Sequence, residues 1–463
     1  MIGVLISLAV TVLVVWILLK KMKAQFVLFF GGLVLLISAL AMDALGLLPN
    51  GAQILPKGVS STGFVGFDLF KCITSLMSSR VAGIGLLIMA ASGYSTYMAK
   101  IGASALMADY ISRPLRVFKS PYLVLALSYV VGAVADLFIP SASGLSMLLM
   151  VTMYPVLVRL GVSRLSAAAL IITVSCLDMG PTSGAANYAA QVAGMDTMTY
   201  FIEYQLPVGI VTTIAVAVLH YFSQKYFDAK DGEKANEIDE TVAKQNDLDS
   251  KGAPAWYGFL PMLPLILLFV FPRFVISSIK LDVPTAMFIS FTVALICELI
   301  RKPAKEVLTT AMDFFNTMGR QFATVITLIV AGELFAKGLI ATGTIDYLID
   351  VTKNMGLPAY AIMIVVVTFI SIASVVMGSG NAPFYAFSPL MPDFAQQFGV
   401  STILLLMPMQ LSTGLARNMS PITAVVVAVA GCSGISPFAL IRRTAIPMIG
   451  GLIVMVVTTI LLN

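Results

Sequence analysis

The chain has 463 residues, 59% hydrophobic and only 11% charged, with a mean hydropathy of +0.96. That balance excludes an ordinary water-soluble globule. The net charge of +5 sits mostly in short connections, so it reads as membrane topology and not as a nucleic-acid surface.

From the N-terminus, the first apolar segment (2–19) has no basic residue ahead of it and is followed by Lys20, Lys21 and Lys23. This is the pattern of a retained first helix, not of a cleaved leader. Further crossings are expected near 25–43 and 82–99. Segment 121–159 has two apolar arms around the tip Pro140-Ser141-Ala142-Ser143-Gly144. The stretch 164–194 is too long for one straight crossing and is interrupted at Asp178-Met179-Gly180-Pro181-Thr182-Ser183-Gly184. A crossing at 205–222 follows. From Phe227 to Gly252 runs the one long polar stretch, whose Asp228-Ala229-Lys230-Asp231 start reads as a solvated linker.

The second half repeats this order. Crossings near 256–274, 284–300 and 320–340 precede a two-armed segment at 358–397 with the tip Gly378-Ser379-Gly380-Asn381-Ala382-Pro383. The stretch 402–432 breaks at Asn418-Met419-Ser420-Pro421-Ile422-Thr423, and 440–462 is the last crossing. Matched interruptions in two halves of an apolar chain point to the binding site of a secondary transporter.

Charge sets the sides. Lys20, Lys21 and Lys23 place the first connection inside and the N-terminus outside. The same count puts Arg113, Arg116, Lys119, Arg159, Arg164, Arg301, Lys302, Lys305, Arg442 and Arg443 inside, while 195–204, 275–283 and 341–357 carry few or no basic residues. The two-armed segments read either as double crossings or as re-entrant hairpins. Their tips carry no Lys, Arg, Asp or Glu, which favours hairpins. Five crossings plus a hairpin per half is an odd count, so the second half is expected upside down, with both termini outside. The expected fold is an all-α polytopic membrane protein of two inverted repeats, each of five transmembrane helices and one re-entrant hairpin.

Irregular backbone survives in hydrocarbon only where it is buried or lines a wet cavity. Ser420-Pro421 is an N-cap serine before a proline at the first helical position. Gly180-Pro181, with Thr182 and Ser183, is the looser equivalent. Free amides and positive dipole ends suit carboxylates; released carbonyls with Ser, Thr and Asn oxygens suit a small hard cation. Ionisable residues inside spans are functional by default. Arg417, one residue before the second break, is matched to a substrate carboxylate. The expected substrate contacts are Ser141, Ser143, Thr182, Ser183, Ser379, Asn381, Arg417, Ser420 and Thr423. The expected coupling-cation site, for sodium or a proton, is Asp178, Asn187 and Asn418. Asp136 ranks below Asp178, Gln191 and Gln410 are weaker polar candidates, and Glu333 reads as a structural partner.

Cys72, Cys176, Cys297 and Cys432 show no paired spacing, so neither a disulfide framework nor a zinc site is expected. An intramembrane hydrolase would need a base beside Ser183, and His220 lies toward the inner end of another helix. A passive channel would not require paired inverted hairpins.

The runs Gly378 to Phe387, Ser420 to Val429, Ile435 to Phe438 and Arg443-Thr444 resemble the anaerobic four-carbon dicarboxylate carriers, Dcu types C and D. Ile101-Gly102-Ala103, Ser112 to Leu115, Ser120-Pro121-Tyr122 and Ser141 to Gly144 extend the similarity into the first half. The resemblance implies a bacterial inner-membrane carrier of the ion-transporter superfamily. Its substrates would be succinate, fumarate, malate or aspartate, moved by cation-coupled symport or by exchange. Another organic anion or an amino acid is the alternative within that superfamily. It further implies a scaffold part (1–120 and 256–357), a mobile transport part (121–226 and 358–463), a polar cytoplasmic linker (227–255), elevator-like movement, and a homodimer in the lipid bilayer. Related sodium–dicarboxylate symporters carry Ser-Asn-Thr at both tips. Here Ser141-Ala142-Ser143 and Ser379-Gly380-Asn381 offer fewer side-chain ligands, which leaves sodium and protons both open. No cofactor is expected.

Overall fold

The computed structural model describes residues 2–20, 22–48, 51–56, 58–112, 120–139, 141–232, 252–271, 281–344, 347 and 358–462. Helices α1 (Ile2–Leu19) and α2 (Ala24–Ala44) are apolar and uninterrupted. Helices α3 (Val65–Arg80) and α4 (Leu86–Lys100) are joined by a π-helical turn, Val81–Gly85, and bend by 47°. Next come α5 (Ala103–Ser112), α6 (Pro121–Asp136), α7 (Ala142–Thr152), α8 (Tyr154–Arg159), α9 (Arg164–Thr173) and α10 (Gly184–Val192). A short α11 (Thr197–Thr199) and a π-helical turn run directly into α12 (Leu206–Asp231).

After a 3-10 stretch, Ala255–Met262, come α13 (Leu263–Phe269) and α14 (Val283–Arg301). Helices α15 (Ala304–Gln321) and α16 (Thr327–Ala341) are joined by a third π-helical turn, Phe322–Ile326. The chain ends with α17 (Ala359–Met377), α18 (Asn381–Phe387), α19 (Met391–Phe398), α20 (Thr402–Arg417), α21 (Ala424–Ser433) and α22 (Pro437–Leu462). A long helix with a π turn, a two-armed segment, a helix broken midway and a long last helix therefore occur twice, in the same order.

Among the described residues, six helices are long and apolar enough to cross a membrane, or seven with the bent pair α3–α4. The broken helices are buried all round: Ser166 to Thr173 in α9 and Ile403 to Ala416 in α20 have no exposed member. They form the centre of the largest core cluster, whereas a second cluster packs α4, α14 and α15 around a stack of Phe291 on Phe314 (ring centroids 4.1 Å apart) with Tyr97 edge-on. Gly414 of α20 lies against the first break, where a Cβ would come within 2.2 Å of the Cys176 carbonyl oxygen. Only glycine permits that approach between the halves.

Several boundaries differ from the sequence expectation. The helix expected at 82–99 starts at Val65, with Asp68 accepting from the Ser61 hydroxyl and the Thr62 amide just ahead of it. Its Asp68, Lys71, Ser75, Ser78, Ser79 and Arg80 hide that half from any count of apolar runs. The helix expected at 320–340 likewise starts at Ala304, because Lys305, Glu306, Asp313 and Arg320 dilute its hydropathy. The helix expected at 205–222 begins at Thr197 and ends at Asp231, beyond the expected linker start at Phe227.

That last extension has a physical cause. Arg443, placed on the inner side from the sequence, is fully buried in α22 and pairs with Asp228 (2.6 Å) and Asp231 (3.0 Å) of α12. Two carboxylates of the supposed linker thus lock the last helices of the two halves together. Arg442 completes the cluster on Asp231 at 2.9 Å. The expectations for Lys21, Arg113, Arg116, Lys119, Pro140, most of the linker (233–251), 272–280, 348–357 and the two terminal residues lie outside the described residues.

Candidate substrate cavity between the tips and the breaks

The first break spans Val174 to Ser183. Its backbone is held by side chains from elsewhere, as a membrane interior requires. The Gly180 amide donates to Gln205 Oε1 (3.2 Å), and Gln410 of α20 donates to the Asp178 carbonyl (3.0 Å). The two glutamines are themselves bonded at 2.6 Å. Thr182 donates to the Leu137 carbonyl at the first tip (2.8 Å), and Asn187 donates to the Pro181 and Ser183 carbonyls (2.8 and 2.6 Å). Asp178 has φ +48°, the only positive φ of a non-glycine residue among those described. Asp tolerates this region better than most residues, and strain of this kind gathers at ligand sites.

The second break, Asn418 to Thr423, is closed more locally. The Thr423 hydroxyl donates to the Arg417 carbonyl (2.6 Å) and the Thr444 hydroxyl to the Asn418 carbonyl (2.9 Å). Since the Thr423 hydroxyl turns back, helix α21 begins with no side-chain cap, unlike α7 and α10, which Ser141 and Ser183 cap. The first amides of α21 thus keep their hydrogen-bonding capacity for a ligand. At the second tip, Gly378 adopts φ +64°, and a Cβ on Gly380 would lie 2.9 Å from the Thr413 carbonyl oxygen. Glycine therefore lets this tip seat directly on the broken helix.

Both tips and both breaks line one cavity of about 290 Å³, near the lower end of the roughly 300–1,000 Å³ typical of small-molecule sites. Of the residues expected from sequence, Ser143, Asp178, Thr182, Ser379, Asn381, Arg417 and Thr423 line it, together with Asp136. Arg417 donates through Nη2 to the Ser175 carbonyl (3.0 Å), while its buried Nε has no hydrogen-bond partner among the described residues. Arg417 forms no ion pair among the described residues. The starts of α7, α10 and α21 open on the same volume through Ala142, Gly184 and Ala424.

Ser141, Ser183, Ser420, Asn187 and Asn418 do not line the cavity. Ser141 and Ser183 are used as caps of their own helices, accepting from the Gly144 amide (3.2 Å) and the Ala186 amide (3.1 Å). Asn187 braces the first break, and Ser420 and Asn418 are buried behind the second. Sequence reasoning in turn missed Ile88 and Ser92 of α4, Gln321 and Val325 at the Phe322–Ile326 π turn, and Tyr385. The legible signal was a polar residue near a π segment, Ser92 two turns after Gly85 and Gln321 directly before Phe322, since helix irregularity gathers at functional sites.

A sequence profile of the C4-dicarboxylate anaerobic carriers, DcuC, matches residues 2–463. The chain belongs to this family. It is 35% identical to the anaerobic C4-dicarboxylate transporter DcuC of Escherichia coli K12 over 456 residues, covering 98% of this chain and 95% of that one. It is 34% identical to the probable anaerobic C4-dicarboxylate transporter DcuC of Vibrio cholerae over 464 residues, covering 100% and 98%. The family consists of transporters and not enzymes, and with its apolar helices this DcuC-family chain is a multi-pass membrane protein.

Two solved structures share the fold. The YdaH transporter of Alcanivorax borkumensis, described as having an unusual topology, aligns with a TM-score of 0.63 at 14% identity, over 94% of this chain and 98% of its own. MtrF of Neisseria gonorrhoeae, described within a class of antimetabolite efflux pumps, aligns with a TM-score of 0.59 at 12% identity, over 94% and 95%.

Proposed function

We propose that this protein is a secondary active transporter of four-carbon dicarboxylates such as succinate, fumarate and malate, and that the cavity between tips and breaks is its substrate site. The observation that carries this reading is the pairing of Arg417 with the uncapped start of α21 on one small cavity. One substrate carboxylate is received by the guanidinium and the α21 amides, an arrangement of charge-assisted donors suited to an anion. The second faces the tips, where Ser143, Ser379 and Asn381 supply polar contacts.

Asp136 and Asp178 line the same cavity. A dianion entering beside two carboxylates and one guanidinium needs further positive charge, which supports cation-coupled transport with Asp178 at the ion site. Sodium and protons both meet that requirement. The two halves act as inverted repeats, with α1–α5 and α13–α16 forming a scaffold and the tips, breaks and last helices forming a transport part that moves as an elevator in the bacterial inner membrane. The termini face the periplasm.

The test is uptake of labelled succinate, fumarate and aspartate into proteoliposomes, with sodium and proton gradients imposed separately and counter-exchange measured in their absence. Gradient-driven accumulation of a dicarboxylate is expected. Ohmic flux without accumulation, or transport restricted to monocarboxylates, overturns the reading.

A further inference from the structure

Outside the cavity, a polar triad of two buried residues and the half-buried Arg80 joins three elements. Glu333 of α16 is 5% exposed and Tyr188 of α10 is fully buried. The Tyr188 hydroxyl donates to Glu333 Oε1 at 2.6 Å, and Arg80, the last residue of α3, donates through Nε to Glu333 Oε2 at 2.8 Å. The Arg80 guanidinium carbon lies 5.9 Å from the Tyr188 ring centroid. Arg80 directly precedes the Val81–Gly85 π turn, and Glu333 lies two turns beyond the one at Phe322–Ile326.

The triad is also tied to the cavity. Tyr188 sits one turn after Gly184 and Ala185, which line it, and its ring packs edge-on against Tyr385, another lining residue, with centroids 5.2 Å apart. On the far side, a Cβ on Gly332, next to Glu333, would come within 2.6 Å of the Tyr385 carbonyl oxygen. Tyr188 is thus held between the carboxylate of one helix and the tip region of the second half.

We propose that Tyr188 is a positioning residue whose bond to Glu333 latches the broken helix α10 to the π-interrupted helices α3–α4 and α15–α16 in the arrangement seen here. This inference rests on the division into scaffold and transport parts proposed above. Arg80 and Glu333 both belong to the scaffold, so their ion pair travels nowhere and stays satisfied in every position of the transport part. Tyr188 belongs to the moving part and is the one member that leaves. A buried carboxylate that loses a hydroxyl donor loses a charge-assisted bond, so the bond favours this arrangement over any other by a discrete amount. An apolar contact in the same place would slide with little preference.

The experiment uses full-length protein in proteoliposomes, with the four native cysteines replaced and a reporter cysteine at Ser379→Cys. Labelling by a membrane-impermeant maleimide from each face reads which side the cavity opens to. Tyr188→Phe is expected to shift the ratio of the two labelling rates about tenfold away from the arrangement seen here, equivalent to about 1.4 kcal/mol. In a Glu333→Gln background the same substitution is expected to add no more than about a twofold shift. A structural role alone would lower thermal stability and leave the ratio unmoved.

An unchanged ratio in folded Tyr188→Phe overturns the latch. If that variant does not fold, Glu333→Asp, which draws the carboxylate back by one methylene, gives the same reading by the same criterion. Dicarboxylate exchange by the protein with native serine and tyrosine is measured in parallel. Its absence counts against the proposed function, whereas intact exchange with an unmoved ratio counts against the latch alone.

Discussion

Arg417→Ala is the sharpest test of the cavity. Among the described residues the guanidinium has one bond to protein, to the Ser175 carbonyl at 3.0 Å, and a buried Nε with none. Removing the side chain therefore costs the fold a single hydrogen bond, about 0.5–1.5 kcal/mol. Removing it from a bound carboxylate leaves a buried anion without its partner, about 2–5 kcal/mol. At 1.4 kcal/mol per tenfold, that lowers substrate affinity by roughly 30- to 4,000-fold with little loss of folded protein. Arg417→Lys keeps the charge but not the bidentate fork, so its loss should fall between those of wild type and alanine. The assay is concentration-dependent succinate exchange in proteoliposomes, normalised to reconstituted protein, with thermal melting in detergent as the folding control. Wild-type exchange kinetics in folded Arg417→Ala would remove this residue from the site and with it the anion-binding argument.

Three further outcomes follow from the geometry. Asp178→Asn keeps a side chain that tolerates φ +48° while removing its charge, so gradient-driven accumulation should fall at least tenfold with folding intact; full accumulation refutes an ion role for Asp178. Gly414→Ala forces a methyl to within 2.2 Å of the Cys176 carbonyl oxygen and should destabilise by roughly 1–3 kcal/mol, seen as a lower melting temperature; an unshifted melt contradicts the close crossing. Arg443→Met leaves Asp228, 3% exposed, without its cation, a loss of about 3–5 kcal/mol. Adding Asp228→Asn should recover more than half of that lost melting temperature, and no recovery would refute the buried pair.

Much of the architecture was legible in the chain because hydrocarbon punishes polar residues so heavily. The apolar helices α2, α14 and α22 are visible as runs, and the Gly, Pro and Ser clusters at 140–144, 178–184, 378–383 and 418–423 mark places where helices cannot continue. Legibility failed where helices carry charges for one another. Helices α3 and α15 hold Arg80 and Asp313, and the end of α12 holds Asp228 and Asp231. Each looks like a loop by composition until its partner is known. Glu333 was expected as a structural partner, yet Arg80 and Tyr188 are 253 and 145 residues away, and no local pattern indicates such pairs.

For the cavity the division is similar. Sequence alone determined that this is a membrane chain with the same interruption pattern written twice, and it singled out Arg417 and Asp178 as charges lying at those interruptions. It could do so because helix breaks and charges are local properties, read from neighbours along the backbone. Which polar side chains face the cavity was decided only by tertiary structure. Ser141 and Ser143 differ by two positions, yet one caps its helix and the other lines the chamber. Ser92 and Gln321 enter from helices whose π interruptions were not read from the sequence. The direction of a side chain depends on the rotation of its helix and on what packs opposite, and both are settled by contacts hundreds of residues apart.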